Sequence, residues 1–216
     1  MISNAFKIES VCEIPKDLVE QAIEIFNILK ENKFQDKGKS CDIKAYRTKN
    51  ILQYKTTKEL ADKLLPYISP SLRGLVYPST HEARRAYNDR FLEKNKLKHL
   101  RFSSLHFVEY KKGGYQLPNR NDHLEEFSCK IYLNNSKANT IKKVGLNSRI
   151  VVGSKTGRVC LFNADILTSE EKDKEGGRLI LVGGLISDTF KPRILINKSK
   201  RSVLKNFLKK IYFWKD

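Results

Sequence analysis

The stretch Gly113-Gly114-Tyr115-Gln116-Leu117-Pro118-Asn119-Arg120-Asn121-Asp122 sets the fold class of this chain. An apolar run, Leu105-His106-Phe107-Val108-Glu109-Tyr110, leads into it, and a second, Phe127 to Leu133, leaves it before Asn134. Both runs have the residue types and length of strands. Two adjacent glycines supply backbone freedom for a tight turn, and Pro118 keeps the chain out of a helix. The sequence therefore predicts a sharp corner between two strands.

Working outward, strands are expected at 100–110, 127–134, 139–144, 148–153, 157–163, 177–187 and 190–196, with glycine-bearing turns between them. Short strands at this spacing predict an antiparallel sandwich or barrel. Gly153-Ser154-Lys155-Thr156-Gly157 lacks phosphate-loop spacing and reads as a hairpin turn.

Towards the N-terminus, residues 1–14 hold a short strand. From Lys16 to Glu31 the apolar residues Leu18, Val19, Ala22, Ile23, Phe26 and Leu29 recur at three and four, which predicts an amphipathic helix after Pro15. Tyr46 to Tyr54 reads as a strand. Thr57 to Leu65 reads as a second helix, capped by Thr56 or Thr57 and ended by Pro66. Two further helices are basic. One spans Thr80 to Lys96 and carries Arg84, Arg85 and Arg90; the other spans Lys198 to Asp216 and carries Lys205, Lys209 and Lys210. Each reads either as a solvated face or as a surface that contacts phosphates. The divisions expected are a helical support region at 1–99, a strand core at 100–197 and the basic helix at 198–216.

Composition bounds the function. The 216 residues are 40% hydrophobic and 31% charged, enough apolar content for a packed core. The net charge of +18 favours a polyanionic partner, either nucleic acid or an acidic protein surface. No apolar run approaches the length of a membrane span, and residues 1–6 lack the pattern of a signal peptide. The expected location is intracellular, cytoplasmic or nuclear. Cys12, Cys41, Cys129 and Cys160 form no Cys-x-x-Cys, so no zinc site is expected.

In four blocks the second half resembles the iron(II)/2-oxoglutarate dioxygenases of the prolyl-hydroxylase type. The blocks are the strand and Gly-Gly turn ending at Gly114; Pro118-Asn119-Arg120-Asn121 followed by Tyr132-Leu133-Asn134; Ala138-Asn139-Thr140; and Gly157 to Phe162 followed by Leu167-Thr168 and Gly177-Arg178. Their order matches the family over residues 100–187. The resemblance implies an α+β fold whose core is a double-stranded β-helix, or jelly roll, with flanking N-terminal helices and a basic C-terminal helix.

In that family two histidines and a carboxylate hold iron. The matching positions here are Asn119, Asn121 and Thr168, which are poor ligands for iron(II). The expectation is a catalytically inactive relative, without cofactor, that serves as a binding module for nucleic acid or a protein. The alternative is an active hydroxylase using iron and 2-oxoglutarate through an atypical site. Arg178 matches the arginine that grips the co-substrate's far carboxylate, and Tyr132 a tyrosine that assists it. Lys130 shares a strand face with Tyr132. It either points into that pocket, forming an anion site with Arg178, or faces away or pairs with a carboxylate such as Asp122.

Overall fold

The computed structural model describes residues 9–32, 45–72, 100–119, 125–143, 149–164 and 166–187. Several expected features lie outside them: the helices at 80–96 and 198–216 with Arg84, Arg85, Arg90, Lys205, Lys209 and Lys210, the strand at 190–196, and Asn121 and Asp122.

The elements in order are β1 (Glu9–Glu13), α1 (Lys16–Glu31), β2 (Tyr46–Arg47), α2 (Lys55–Ile68), β3 (Arg101–Tyr110), β4 (Gln116–Asn119), β5 (Phe127–Tyr132), β6 (Ser136–Lys143), β7 (Arg149–Ser154), β8 (Arg158–Asn163), β9 (Leu167–Glu170) and β10 (Arg178–Ile186). A six-stranded sheet runs β1-β8-β5-β10-β3-β2, and a four-stranded sheet runs β4-β9-β6-β7. Every strand pairing is antiparallel. The chain folds as a jelly roll with helices on one outer face, as the strand pattern predicts.

The larger sheet is buried on both sides, because its strands carry apolar residues at odd and even positions alike. One face presents Leu105, Phe107, Cys129, Ile131, Val159, Leu161, Leu179 and Leu181 to the helices. Leu18, Val19, Ala22 and Phe26 of α1 and Leu60, Ala61, Leu64 and Ile68 of α2 complete that core. Each large side chain buried there contributes roughly 1.5–3 kcal/mol. Phe26 meets Phe107 with ring centroids 5.5 Å apart. The opposite face, with Val108, Tyr110, Tyr132, Cys160, Phe162 and Ile180, turns towards the smaller sheet and packs with Val152 of β7. The polar site lies in that interior.

Four local readings are corrected. The stretch 46–54 is a strand only at Tyr46–Arg47, followed by a 3-10 turn at Ile51–Gln53. Asn50 ends the strand, because its side-chain oxygen accepts the backbone N–H groups of Leu52 and Leu105. Thr57 does not cap α2 but directs its hydroxyl back to the carbonyls of Ile51 and Tyr54. Pro66 does not end α2, which runs on to Ile68. The carbonyl that Pro66 leaves without a donor is that of Asp62, a solvent-exposed position where water replaces it. The turn at 153–157 is no hairpin, since β7 and β8 belong to different sheets and the chain crosses there between layers.

Among the described residues no helix is long and apolar enough to cross a membrane. Cys129 and Cys160 are buried free thiols, as their apolar surroundings predict, and burial pushes the Cys129 thiol well up.

Candidate functional site

The Gly113–Asn119 corner is a built turn. The Gly114 N–H donates to the Lys111 carbonyl at 2.7 Å, and Gly113 sits at φ 76°, a conformation that favours glycine. β4 then pairs with β9, with Gln116 opposite Glu170 and Asn119 opposite Thr168. Two of the three positions matched to metal ligands are thus cross-strand neighbours. Pro118 is tolerated because β4 is the edge strand of its sheet.

The corner also positions Arg178. Asp173 is locked to the glycine turn, its carbonyl accepting from Gly113 at 2.6 Å and its N–H donating to Gly114 at 2.8 Å. The Asp173 carboxylate accepts the backbone N–H groups of Glu175, Gly176 and Arg178. Turn, aspartate and arginine form one continuous brace at the head of β10. The Arg178 side chain enters the interior over the Tyr110 ring, with its guanidinium carbon 4.5 Å from the ring centroid.

Lys130 enters the same interior from β5. Ser128, Lys130 and Tyr132 share the inner face, as their alternation predicts, and all three are buried. The Lys130 ammonium donates to Glu170 Oε1 at 2.5 Å and to the Thr168 hydroxyl at 3.1 Å. The Tyr132 hydroxyl donates to Thr140 Oγ1 at 2.6 Å, and Thr140 donates to Glu170 Oε2 at 2.8 Å. Arg178 Nη2 lies 3.0 Å from the same Oε2. That pairing is charge against charge, because none of the three guanidinium nitrogens makes a hydrogen bond among the described residues.

The site is therefore two cations on one carboxylate. Lys130 is 3% exposed, Glu170 4% and Arg178 0%. Burial of unpaired charge costs several kcal/mol per ion, so this arrangement persists only through Glu170. Of the two readings left open for Lys130, the inward one holds, but its partner is Glu170. The sequence reading did not single out Glu170. Its signal was Thr168-x-Glu170, a period of two on a strand, hidden because 164–176 was read without a strand. A second polar group lies further along the interior, where buried Glu125 accepts from Ser104 and Ser128.

Burial raises the Tyr110 and Tyr132 hydroxyls well above the ordinary value of 10.0, and the neighbouring Glu170 carboxylate raises them further. In the unfolded chain these phenols ionise near their ordinary value. Between that value and the folded one the unfolded state binds fewer protons, so stability falls as pH rises. The urea midpoint is expected to hold up to about pH 9 and fall through pH 10–11. Tyr132→Phe is expected to flatten part of that slope.

No family model matches the chain, and no curated protein matches it in sequence. Solved structures match its fold. A Pseudomonas putida prolyl-4-hydroxylase is 13% identical with a TM-score of 0.57, covering 82% of this chain and 91% of its own. The alpha ketoglutarate dependent carbocyclase SnoK from nogalamycin biosynthesis is 9% identical with a TM-score of 0.60, covering 95% and 90%. The epimerase SnoN, solved with Fe3+, alpha ketoglutarate and nogalamycin RO, is 12% identical with a TM-score of 0.57, covering 84% and 79%. At these identities the likeness is one of fold.

These comparisons correct the expectation of a chain without cofactor. The proteins sharing its fold are named for alpha ketoglutarate, and one of them holds it with Fe3+. The residues of this chain fit the two groups unequally. Thr168 at the metal position is already an acceptor for an ammonium, and a cation beside a metal repels it. Among the described residues no three His, Cys, Asp or Glu side chains cluster as ligands. Thr168 and its surroundings do not fit iron(II). The Arg178 guanidinium, with three nitrogens outside any hydrogen bond, has the chemistry of a carboxylate seat, and Glu170 now stands at it.

Proposed function

We propose that this chain is a catalytically inactive relative of the 2-oxoglutarate oxygenases that acts as a binding module for a polyanionic partner, nucleic acid first. The observation behind the inactivity is the Lys130 ammonium bonded to Thr168. It puts a fixed positive charge at the corner where an oxygenase needs a ligand set that gathers a metal. The observation behind the partner is the net charge of +18. Most of that excess comes from segments outside the described residues, 73–99 and 188–216 foremost. A basic surface of this kind binds phosphates through counterion release, which makes affinity steeply salt-dependent.

Two measurements test the reading. Incubation with iron(II) and 2-oxoglutarate is expected to release no succinate above the protein-free background. Retention on DNA or RNA is expected to fall by about 10³ or more between 50 and 200 mM salt if six or more phosphates are neutralised. Changing Lys205, Lys209 and Lys210 together to Gln is expected to lower the salt slope. Iron-dependent succinate release contradicts the first half; retention insensitive to salt contradicts the second.

A further inference from the structure

We propose that Glu170 is an internal competitor for a small dicarboxylic acid: its carboxylate occupies the seat on Arg178 that such an acid takes when Glu170 is removed. The proposal is independent of the nucleic-acid reading, since it concerns the pocket alone.

The geometry carries it. One Glu170 oxygen is held by Lys130 at 2.5 Å, and the other by Thr140 at 2.8 Å. Those two bonds draw the carboxylate towards β5 and β6. It stays 3.0 Å from Arg178 Nη2 without making an aligned bond. A planar guanidinium fork pairs best with a carboxylate lying in its own plane. Glu170, tied at both oxygens, does not take that position. It neutralises the arginine yet leaves Nε, Nη1 and Nη2 with hydrogen bonds unmade.

The charge count points the same way. With two cations on one carboxylate, removal of Glu170 leaves two buried positive charges facing a gap of carboxylate size. Thr140, Thr168 and Tyr132 add hydroxyls around that gap. Such a gap selects an anion with planar oxygen pairs. A second carboxylate on the same molecule reaches Lys130, which favours a dicarboxylate over a monocarboxylate. In the intact chain Lys130, Thr140, Tyr132, Glu170 and Arg178 are all buried, so an acid enters only as Glu170 leaves.

The test is metal-free. Wild type, Glu170→Ala and the double variant Lys130→Met/Glu170→Ala are titrated with succinate at constant ionic strength, following the melting temperature and direct binding. Succinamide, the neutral diamide, is the control. Succinate has no keto-acid end for a metal to chelate, so it reports on the carboxylate seat alone. The expected result is succinate binding at least tenfold tighter to Glu170→Ala than to wild type, with no response to succinamide. The double variant keeps one buried cation and tells whether a single guanidinium suffices to capture the acid. If Glu170→Ala does not fold, the double variant decides, and it is expected to melt higher in succinate than in succinamide. Equal succinate affinity in wild type and variants overturns the proposal. So does an equal response to succinamide, or failure of both variants to fold with succinate present.

Discussion

Glu170→Ala is expected to lower the free energy of unfolding by about 3–5 kcal/mol, the range for removing one partner of a buried ion pair. The reason is the number of charges rather than lost contacts. Lys130 and Arg178 both depend on this carboxylate, at 2.5 and 3.0 Å. Without it two buried cations remain, and each must lose its charge or draw in water or an anion. Lys130→Met is expected to behave differently. It leaves Arg178 and Glu170 as a one-to-one pair and places an apolar side chain beside Phe162, whose ring centroid lies 5.7 Å from the ammonium. Its cost is expected to stay below about 2 kcal/mol. Urea denaturation of the two variants reads the asymmetry directly. Equal losses show that Lys130 and Glu170 act as an isolated pair and that Arg178 takes no part.

Gly176→Ala is expected to have the second largest effect, about 2–4 kcal/mol. Gly176 sits at φ +85°, and an added Cβ falls 2.5 Å from the backbone nitrogen of Lys112. A left-handed conformation costs an alanine about 1–2 kcal/mol. The clash with backbone then pushes the loop away from the glycine turn and strains the Asp173 bonds that hold Gly176 and Arg178. Gly177→Ala separates the two contributions. Its φ is +86°, but no heavy atom lies within 4 Å of the added Cβ. It is expected to lose only the conformational part, about 1–2 kcal/mol. The difference between the neighbouring variants measures the close approach of the loop to the corner. Equal losses contradict the brace from Gly113 through Asp173 to Arg178.

Much of this arrangement was legible in the sequence, for identifiable reasons. β3, β5, β8 and β10 are long and β-rich, and their strand character shows in composition alone. The Gly-Gly turn before Pro118 marks the corner. Lys130 and Tyr132 share a face by simple alternation, and that face is the interior one. Arg178 follows a glycine pair at the start of a buried strand. What was not legible depended on the second sheet. β9 is Leu-Thr-Ser-Glu, with a single apolar residue, and it becomes a strand because β4 and β6 pair with it on either side. Only that pairing turns Glu170 inward, so the carboxylate that neutralises Lys130 and Arg178 was hidden among loop-like polar residues. The segment 46–54 misled for the opposite reason. Its apolar content suggested a strand, while the Asn50 side chain captured two backbone N–H groups and bent the chain. In both places a tertiary partner overrode the local pattern.

The central claim is that a lysine ion-paired to a glutamate occupies the corner where this fold gathers a metal. Crystals grown with manganese(II) and 2-oxoglutarate, examined by anomalous scattering at the manganese edge, test it most directly. The predicted result is a Lys130 ammonium still bonded to Thr168 and Glu170, with no anomalous peak within bonding distance of Thr168. A manganese peak coordinated by Thr168 or by residues 119–123, with Lys130 displaced from Glu170, would contradict it.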